Sequence, residues 1–292
     1  MSFASKVRPL HWVFKIGDRK ANIRFFRDLL GMKTLRHEEF SEGCEATCNG
    51  PYSGHWSKTM IGYGDENNHF VIELTYNYTV KSYELGNDFR GITIQSSDIL
   101  KRAKEMNYKV EDVDSKTKLI LAPDGYKFYI LDEAQPKDKD PVISVKVGVA
   151  DMSKALDFWQ TDLQMNLRSK GNKECLLDFS EDKIKVILEK TDPAIDRKTA
   201  YGRIACSIPL EEQPGLSDRL VAKKRTILHP LIKLDTPGKK TVRVLIIADP
   251  DGQEVCFVED EGFRELSEPD VNGDELLEKS MAEDDSDKFQ GI

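Results

Sequence analysis

The sequence repeats one structural pattern, and any fold of the chain has to contain both copies. An alternating apolar segment at residues 12–18 leads into an amphipathic stretch at 25–32, and residues 145–151 lead in the same way into 158–165. Each copy is typical of a strand, an aspartate at a helix N-cap, and an amphipathic helix that ends in a turn. The chain is therefore expected to be built from repeated modules.

The later part of each copy matches as well. Residues 89–94 resemble residues 201–206, and the Pro-Asp-Gly at 123–125 returns at 250–252 with an apolar run after each. Proline fixes φ and glycine tolerates positive φ, so this tripeptide predicts a turn between two strands. The sequence thus predicts four modules, each with one strand, one helix and about three further strands. They begin near Leu10, Asp88, Val142 and Tyr201.

The modules divide the chain into two halves, a linker and a tail. We predict an amino-terminal domain of two modules over residues 1–134 and a carboxy-terminal domain of two modules over residues 142–261. The segment 135–141 between them is charged and bounded by prolines, which is typical of an exposed linker. The acidic stretch 262–292 is expected to be a helical tail packed on the body. Its apolar residues at helical spacing are Leu276, Leu277 and Met281.

The charge of the chain argues against a nucleic-acid surface. Its 292 residues carry a formal net charge of −8, and no stretch collects Lys and Arg without interleaved acids. Phosphate binding needs a basic face, so no nucleic-acid partner is expected. The longest apolar runs, such as residues 244–248, are strand length, and no membrane association is expected. Apolar residues make up 39% of the chain, which is enough for a buried core.

The cysteines and the amino terminus favour an intracellular protein. Residues 1–8 lack the apolar core of a signal peptide, so secretion is not expected. We expect a cytoplasmic location, with the mitochondrion left open by Lys6 and Arg8. The five cysteines show no disulfide-framework spacing, and we expect them to be reduced. They are Cys44, Cys48, Cys175, Cys206 and Cys256.

Strand periodicity separates the faces of two strands in the first module, since alternate residues of a strand point to opposite faces. The apolar face of the first strand consists of Leu10, Trp12, Phe14 and Ile16. His11 and Lys15 therefore point the other way. In the strand over residues 70–77, Glu73 and Asn77 lie opposite the apolar residues. His11 and Glu73 can converge on one surface of a curved sheet, and a merely solvated polar face is the alternative.

These segments resemble the vicinal-oxygen-chelate superfamily, which includes glyoxalase I, bleomycin-resistance proteins and extradiol dioxygenases. The local similarity to glyoxalase I is carried by residues 10–18, 29–32, 72–78, 83–86 and 123–126. Further segments are similar to one branch of the superfamily over nearly the whole chain: 36–40, 48–52, 56–60, 234–239 and 262–266. The resemblance implies an α+β fold in which four βαβββ modules in tandem form two open mixed-sheet cups.

The resemblance also implies a reaction and a set of ligands. In glyoxalase I a divalent metal holds the hemithioacetal of methylglyoxal and glutathione, while a carboxylate moves a proton through an ene-diolate. The metal ligands are a His or Gln and a Glu from each of two modules. His11 and Glu73 match the first pair. The second pair has no match, because its positions hold Gly91 and Tyr129, Arg203 and Cys256, or Ser144 with Leu188 or Glu189.

Two arrangements of the site remain open. If modules one and four share a cup, its floor holds His11, Glu73, Arg203 and Cys256. Our first hypothesis is that no metal is bound and that Arg203 takes its place and pairs with Glu73, since a buried carboxylate needs a cation or strong hydrogen bonds. The alternative is a partial zinc or nickel site made by His11, Glu73 and Cys256. Glu73 is the one candidate for a catalytic residue.

The resemblance assigns substrate contacts outside the metal positions. Lys15 and Asn77 match positions that contact glutathione in glyoxalase I, and Arg203 is added from the floor of the cup. Lys239 and Lys240 lie in a loop similar to the one that holds the glycine carboxylate of glutathione, although lysines on loops are more often solvated. The expected partner is a small molecule such as a glutathione adduct, and a protein partner is the second option.

Taken together, the resemblance predicts a glyoxalase-family protein associated with methylglyoxal detoxification. The position of the family's base carries Tyr129 or Cys256 and never a carboxylate, which argues against direct lactoylglutathione lyase activity. The alternative is a non-catalytic ligand- or protein-binding module that kept the cup. A dioxygenase needs two His and one carboxylate in one cup, and the sequence does not supply them.

Overall fold

A computed structural model of the chain describes residues 2–235 and 240–286. The strands are β1 Arg8–Ile16, β2 Lys33–Phe40, β3 Trp56–Gly62, β4 Val71–Asn77, β5 Phe89–Gln95, β6 Glu111–Asp112, β7 Thr117–Leu121, β8 Lys127–Leu131, β9 Val142–Val149, β10 Asn166–Lys170, β11 Glu174–Asp178, β12 Lys185–Lys190, β13 Arg203–Ile208, β14 Thr226–Leu234, β15 Val242–Ala248 and β16 Glu254–Glu259. The helices are α1 Arg19–Arg24, α2 Ser97–Glu105, α3 Met152–Leu156, α4 Glu212–Ala222, α5 Asp260–Leu266 and α6 Gly273–Glu283. Within the described ranges, no helix has both the length and the hydropathy needed to cross a membrane.

The strands form two eight-stranded sheets, and each sheet takes one module from each half of the sequence. The first sheet has the order β14-β15-β16-β13-β1-β4-β3-β2 and joins the fourth module to the first. The second has the order β10-β11-β12-β9-β5-β8-β7-β6 and joins the third to the second. The predicted tandem of βαβββ modules and its α+β class are confirmed. Neither half of the chain forms a sheet of its own.

Helix caps appear where the repeat predicts them. Asp18 accepts a hydrogen bond from the backbone N–H of Ala21 at the start of α1, and Asp151 accepts from Ser153 and Lys154 at the start of α3. An aspartate in this place satisfies N–H groups that have no partner inside the helix. Both helices continue into a π-helical turn, over Phe25–Leu29 and Asp157–Asp162.

Pairing at the centre of the first sheet decides which side chains share a surface. Val13 of β1 lies opposite Glu73 of the parallel strand β4 and opposite Arg203 of the antiparallel strand β13. Arg203 in turn lies opposite Glu254 of β16. Register neighbours project to the same face of a sheet. The row Glu73, Val13, Arg203, Glu254 therefore crosses four strands on one face.

The first strand departs from strict alternation near its start. A bulge lies between Pro9 and His11, where β1 has one more residue than the segment of β13 that pairs with it. The main core contains Trp12, Phe14 and Ile16, as predicted. Leu10 instead packs with Ala205 in a second, smaller apolar cluster. The predicted face of Leu10 was wrong because a bulge moves the residues on one side of it to the other face.

The main core lies between the two sheets and their helices. The Phe14 ring of the first sheet lies 5.8 Å from the Phe128 ring of the second and 6.5 Å from Phe26 after α1. One hydrophobic cluster therefore includes residues of both sheets. Its members fill the inner faces, which leaves the opposite face of each sheet to form a cup.

The acidic tail packs on the body as predicted. Helix α6 lies against the edge strand β2, with Leu277 and Met281 buried and Leu276 largely exposed. Arg19 fixes the helix by donating to the Ser280 carbonyl at 3.0 Å and to the Asp284 carboxylate at 2.8 Å. An edge strand covered in this way cannot pair with another chain. Residues 287–292 of the predicted tail lie outside the described part of the chain.

Docking of the tail should depend on pH through Glu39. This β2 carboxylate is partly buried, which alone would raise its pKa, but hydrogen bonds involving His37, Ser280 and Tyr78 lower the pKa to about 2. A depressed carboxyl pKa stabilises the fold fully above the ordinary value of 4.5, and this stability is lost as the pH falls towards 2. We expect the free energy of unfolding to decline over this window in urea titrations.

The matched variant for this prediction is Glu39→Gln, which keeps the shape of the side chain and removes its titration. Its unfolding free energy should be lower at neutral pH and should change less between pH 4.5 and 2 than that of the wild type. Parallel pH profiles for the two proteins would contradict the role assigned to Glu39.

Candidate functional site

The polar face of the first sheet encloses a cavity of about 310 Å³. We call this cavity and its walls the first cup. Its floor comes from β1, β4, β13 and β16, which belong to modules one and four. The four predicted floor residues all line it: His11, Glu73, Arg203 and Cys256. The condition that modules one and four share a cup is therefore met.

The walls of the first cup are largely apolar and aromatic. The Phe40 and Trp56 rings of the first module are stacked, with centroids 4.2 Å apart and planes 11° from parallel. From the other side α5 contributes Phe263 and Leu266, and the Phe263 ring lies 6.4 Å from the His11 ring. Apolar walls with a few convergent polar groups are typical of a small-molecule site.

His11 is held by a buried carboxylate that the sequence did not single out. His11 Nδ1 lies 2.5 Å from Glu66 Oε1, and Arg36 Nη2 lies 3.0 Å from Glu66 Oε2. Burial opposes the charge of Glu66, but His11 and Arg36 outweigh it and hold the pKa of Glu66 below its ordinary value. Because an ionised carboxylate only accepts hydrogen bonds, His11 Nδ1 must carry the proton of this bond.

Glu73 stands on the other side of the His11 ring. Its Oε2 lies 3.4 Å from His11 Nε2, and its Oε1 accepts a hydrogen bond from Thr75 Oγ1 at 3.4 Å. Glu73 is buried in the floor and lines the cavity. The predicted convergence of His11 and Glu73 is thus observed, and it forms part of a chain that runs from Arg36 through Glu66 and His11 to Glu73.

Arg203 does not pair with Glu73, so that part of the first hypothesis was wrong. Its guanidinium binds Glu254, with Nε at 2.9 Å and Nη2 at 2.6 Å from Oε2. The sheet explains the choice: Glu254 is on the adjacent strand, whereas Glu73 is two strands away with Val13 between them. Neighbouring strands are about 4.8 Å apart, so the nearer acid is reached without stretching.

Further contacts define the surroundings of Arg203. Burial raises the pKa of Glu254, but Arg203 and Arg197 outweigh it and the net shift is downward. Arg203 Nη2 also donates to the Ala46 carbonyl at 3.1 Å. Within the described part of the chain, no hydrogen bond joins Arg203 Nη1 to another residue. That nitrogen is therefore available to a ligand in the cup.

Cys256 lies on the floor as a protonated thiol. Burial raises its pKa to about 11, against the opposing effect of Arg203. Among residues 2–235 and 240–286, no three His, Cys, Asp or Glu side chains are grouped closely enough to hold a metal ion. The zinc or nickel alternative with His11 and Glu73 stays a prediction.

The predicted glutathione contacts do not converge on the first cup. Lys15 is buried under Tyr201, with Nζ 3.4 Å from the ring centroid, and burial lowers its pKa to about 7. Asn77 is bound to Asn49 and Tyr83 and is almost completely buried. Neither side chain lines the cavity. The cations that do so besides Arg203 are Arg36, Lys58 and Lys233.

Lys239 and Lys240 were predicted to contact the glycine carboxylate of glutathione. Lys240 is exposed and forms an ion pair with Glu265 of α5 at 2.6 Å, so it is solvated at the rim and does not line the cavity. An exposed pair of this kind contributes little to stability. Lys239 lies outside the described residues.

The second cup, formed by modules two and three, is occupied by its own side chains. Gly91 has a φ of +141°, and a Cβ built there would lie 2.5 Å from the Tyr129 ring. Lys146 lies over the same ring at 5.7 Å and forms ion pairs with Glu174 and Glu189. Lys146 and its two acid partners therefore occupy part of this face. The first cup is therefore the stronger candidate for a ligand site.

Cys44 and Cys48 are joined by a disulfide, so the expectation of reduced thiols was wrong for this pair. The backbone turns back on itself between them, with Thr47 N–H donating to the Cys44 carbonyl at 2.8 Å. This turn brings the two Cα atoms to 5.5 Å, a separation that a disulfide can span. Cys175, Cys206 and Cys256 are free and buried.

Comparison with known proteins places these features in a family. Residues 8–128 match the model of the glyoxalase/bleomycin resistance protein/dioxygenase superfamily. Residues 151–266 match the model of the glyoxalase domain-containing protein 4-like C-terminal domain.

Full-length relatives extend the similarity over nearly the whole chain. Glyoxalase domain-containing protein 4 of Rattus norvegicus is 49% identical over 97% of this chain and 95% of its own length. Glyoxalase 1 of Caenorhabditis elegans is 43% identical over 97% of this chain and 99% of its own length. Glyoxalase I from Zea mays has a similar fold, with 24% identity, a TM-score of 0.70, and coverage of 88% of this chain and 94% of that one.

Proposed function

The chain belongs to the glyoxalase/bleomycin resistance protein/dioxygenase superfamily, and from this membership we propose that it acts in methylglyoxal detoxification. Its ligand is the thiol adduct of a 2-oxoaldehyde, such as the hemithioacetal of methylglyoxal and glutathione, bound in the first cup. The observation that carries the proposal is the placement of Glu73 on the floor of this cavity with His11 and the buried Glu66 behind it.

The donor chemistry of the first cup does not fit a divalent metal, and we propose that the protein works without one. The positions that would complete the ligand set with His11 and Glu73 hold a guanidinium and a thiol instead of a second His or Glu. Cys256 is the only one of these two that can ligate zinc, and within the described residues no group of three His, Cys, Asp or Glu side chains is close enough to hold the ion. The fixed positive charge of Arg203 beside it opposes a second cation.

Arg203 supplies the positive charge that the reaction needs. Proton transfer next to a carbonyl places negative charge on oxygen in the transition state, and preorganised donors that meet this charge lower the barrier. The guanidinium lines the cavity and is fixed by Glu254 and by the Ala46 carbonyl, while Nη1 remains available. A rigid cation of this kind needs no reorganisation when the charge develops.

Glu73 acts as the general base. It takes the proton from the carbon bonded to sulfur and returns it to the neighbouring carbon, while the hydroxyl proton of the first carbon passes to the oxygen of the second, which converts the hemithioacetal into a thioester. The Glu73 carboxylate lies 3.4 Å from His11 Nε2, and Glu66 fixes the ring through Nδ1. The position of the His11 ring beside the base is therefore set by Glu66, which is buried and does not line the cavity.

The test combines metal analysis with an isomerisation assay. Protein treated with a chelator should convert the preformed hemithioacetal to the thioester, monitored by ultraviolet absorbance, and added zinc or nickel should not raise the rate. The purified protein should contain substoichiometric metal. Stoichiometric zinc or nickel that is lost in His11→Ala would contradict the metal-free site, and absence of turnover under every condition would contradict catalysis.

A non-catalytic ligand-binding module is the second candidate, favoured by the closed pair of Arg203 and Glu254 on the floor. In that case the cup binds the adduct, but Arg203 is held so firmly by Glu254 that it does not stabilise the negative charge of the transition state. Titration calorimetry with S-methylglutathione, which lacks a free thiol, separates the candidates. Binding without turnover of the hemithioacetal favours the module.

A further inference from the structure

The loop between β2 and β3 carries a disulfide on the wall of the first cup. Cys44 and Cys48 both line the cavity, are partly buried, and pack against the apolar cluster beneath it. Their bond therefore forms part of the cavity wall. A molecule bound in the cup lies beside this disulfide as well as above Glu73 and Cys256.

The position of the two cysteines does not depend on the bond between them. Asn49 accepts from the Cys44 N–H at 3.0 Å and donates to the Tyr52 carbonyl and to Asn77, each at 2.9 Å. Asn49 is completely buried, so these hydrogen bonds are shielded from water. The loop is therefore held in place from below, and two reduced thiols would stay close enough to rejoin.

Positive charge lies directly beneath the turn that joins the cysteines. Arg203 Nη2 donates to the Ala46 carbonyl and lies 3.4 Å from Thr47 Oγ1. A cation near a cysteine pair stabilises the thiolate that leaves when a disulfide is attacked. Glu42 and Glu45 also line the cavity, but they are exposed and their charges are screened.

We propose that the Cys44–Cys48 disulfide is a thiol–disulfide exchange site whose substrate is a low-molecular-weight thiol that enters the first cup. The substrate thiolate attacks one sulfur, a new S–S bond forms, and the electron pair of the broken bond leaves on the other cysteine, which takes up a proton. A second thiolate then attacks the mixed disulfide. Two thiols are oxidised to one disulfide, and the cysteine pair is reduced by two electrons.

This inference deepens the proposed function, because the same cup would accept the free thiol as well as its 2-oxoaldehyde adduct. The two ideas can nevertheless fail separately. Exchange requires a thiol and the cysteine pair, whereas isomerisation requires Glu73 and an adduct. Separate probes therefore report on thiol exchange and on isomerisation.

The test compares thiols of similar reactivity and different size. Full-length oxidised protein is incubated with 2-mercaptoethanol or with thiol-terminated polyethylene glycol, and the freed cysteines are alkylated and identified by mass spectrometry. Since access to the attacked sulfur controls the exchange rate, we expect reduction by the small thiol to be about tenfold faster or more. Cys44→Ser and Cys48→Ser should each retain a single thiol that forms a mixed disulfide with oxidised 2-mercaptoethanol.

Three results would overturn the proposal. One is recovery of Cys44 and Cys48 as free thiols in protein equilibrated with an oxidising glutathione buffer. Another is equal reduction rates with the small and the bulky thiol. The third is unchanged thiol oxidation in the double variant Cys44→Ser/Cys48→Ser, which would assign the reaction to another group.

A competition arm keeps this proposal separate from the proposed function. S-methylglutathione cannot exchange, but it should slow the reduction of Cys44–Cys48 if it occupies the first cup. If small thiols are preferred and S-methylglutathione has no effect, the exchange site stands and the glutathione adduct is excluded as the ligand of the cup. If neither preference nor competition is found, the exchange site itself is excluded.

Discussion

Replacing Glu66 with alanine is expected to lower the free energy of unfolding by about 3–5 kcal/mol, because it leaves the buried Arg36 with only the more distant carboxylate of Glu38, at 3.4 Å. Glu66 is almost completely buried and bridges His11 Nδ1 at 2.5 Å and Arg36 Nη2 at 3.0 Å. Arg36 is itself only 2% exposed, so its charge cannot turn to water without disrupting the sheet. The measurement is urea unfolding at neutral pH, where the Glu66 carboxylate is ionised.

The control is the same substitution at an exposed ion pair. Glu278 of α6 binds Arg27 at 2.7 Å, and its side chain is 56% exposed. Glu278→Ala should cost less than about 1 kcal/mol, since exposed pairs exchange their partner for water. Equal losses for Glu66→Ala and Glu278→Ala would contradict the view that the buried carboxylate stabilises the floor of the first cup.

A second variant separates the loss of charge from the loss of packing. In Glu66→Gln the side chain keeps its size and one acceptor oxygen, so the packing is preserved while Arg36 loses a counter-ion. Its stability should fall between those of the wild type and Glu66→Ala. If Glu66→Gln is as stable as the wild type, packing rather than charge accounts for the effect of alanine.

The elements of the fold could be predicted because their signals are local. The strand at the start of each copy, the caps at Asp18 and Asp151, and the Pro-Asp-Gly turns each depend on residues a few positions apart. The pairing of modules one and four depends on strand contacts between distant parts of the chain, such as Val13 opposite Arg203. Periodicity gives no information on such contacts.

The same distinction separates the floor residues that were assigned correctly from those that were not. His11 and Glu73 converge because alternation places each on the polar face of a strand within one module. The partner of Arg203 depends on the register between β13 and β16, which no local pattern specifies, and the register selects Glu254. Leu10 was placed on the wrong face because the bulge beside it has no sequence signal in a single chain.

Loops account for the remaining differences. Glu66 lies in a polar turn before β4, where the sequence does not distinguish a buried acid from its exposed neighbours. Its role depends on contacts with Arg36 and His11, which are distant in the sequence. Asn77 faces the polar side of β4 as predicted. The loop after β2 covers it, and Asn49 donates a hydrogen bond to its side-chain oxygen. The disulfide in that loop likewise depends on a turn that cysteine spacing alone does not predict.

The two cups show how one sheet surface can serve as a site or as a second core. In the second cup Lys146 reaches Glu174 and Glu189 across the face, and Tyr129 fills the space beside Gly91. In the first cup the cation of the floor, Arg203, is drawn to one side by Glu254, so the centre stays open to a ligand. In each cup the acid partners of the cation therefore determine where its side chain lies on the face.

In the first cup, Glu73→Gln is expected to reduce turnover of the hemithioacetal by about 10²–10⁴-fold, which is the usual contribution of a general base. Glutamine has nearly the same shape and can still accept from Thr75, but it cannot take up a proton from carbon. Binding of S-methylglutathione should change little, because the ligand loses no contact that depends on proton transfer. The measurements are the initial rate of thioester formation and titration calorimetry on the same preparation.

The matched control is Glu278→Gln, which makes the same chemical change on the surface of α6 and should leave both measurements unchanged. A large loss of turnover in Glu73→Gln with intact binding assigns the base and rejects the non-catalytic module. Turnover that survives in Glu73→Gln would remove Glu73 from the chemistry, because a glutamine at this position has no basic oxygen with which to accept the proton. Loss of binding together with turnover would instead mean that Glu73 contributes to holding the ligand, and that the cup depends on its charge before any proton moves.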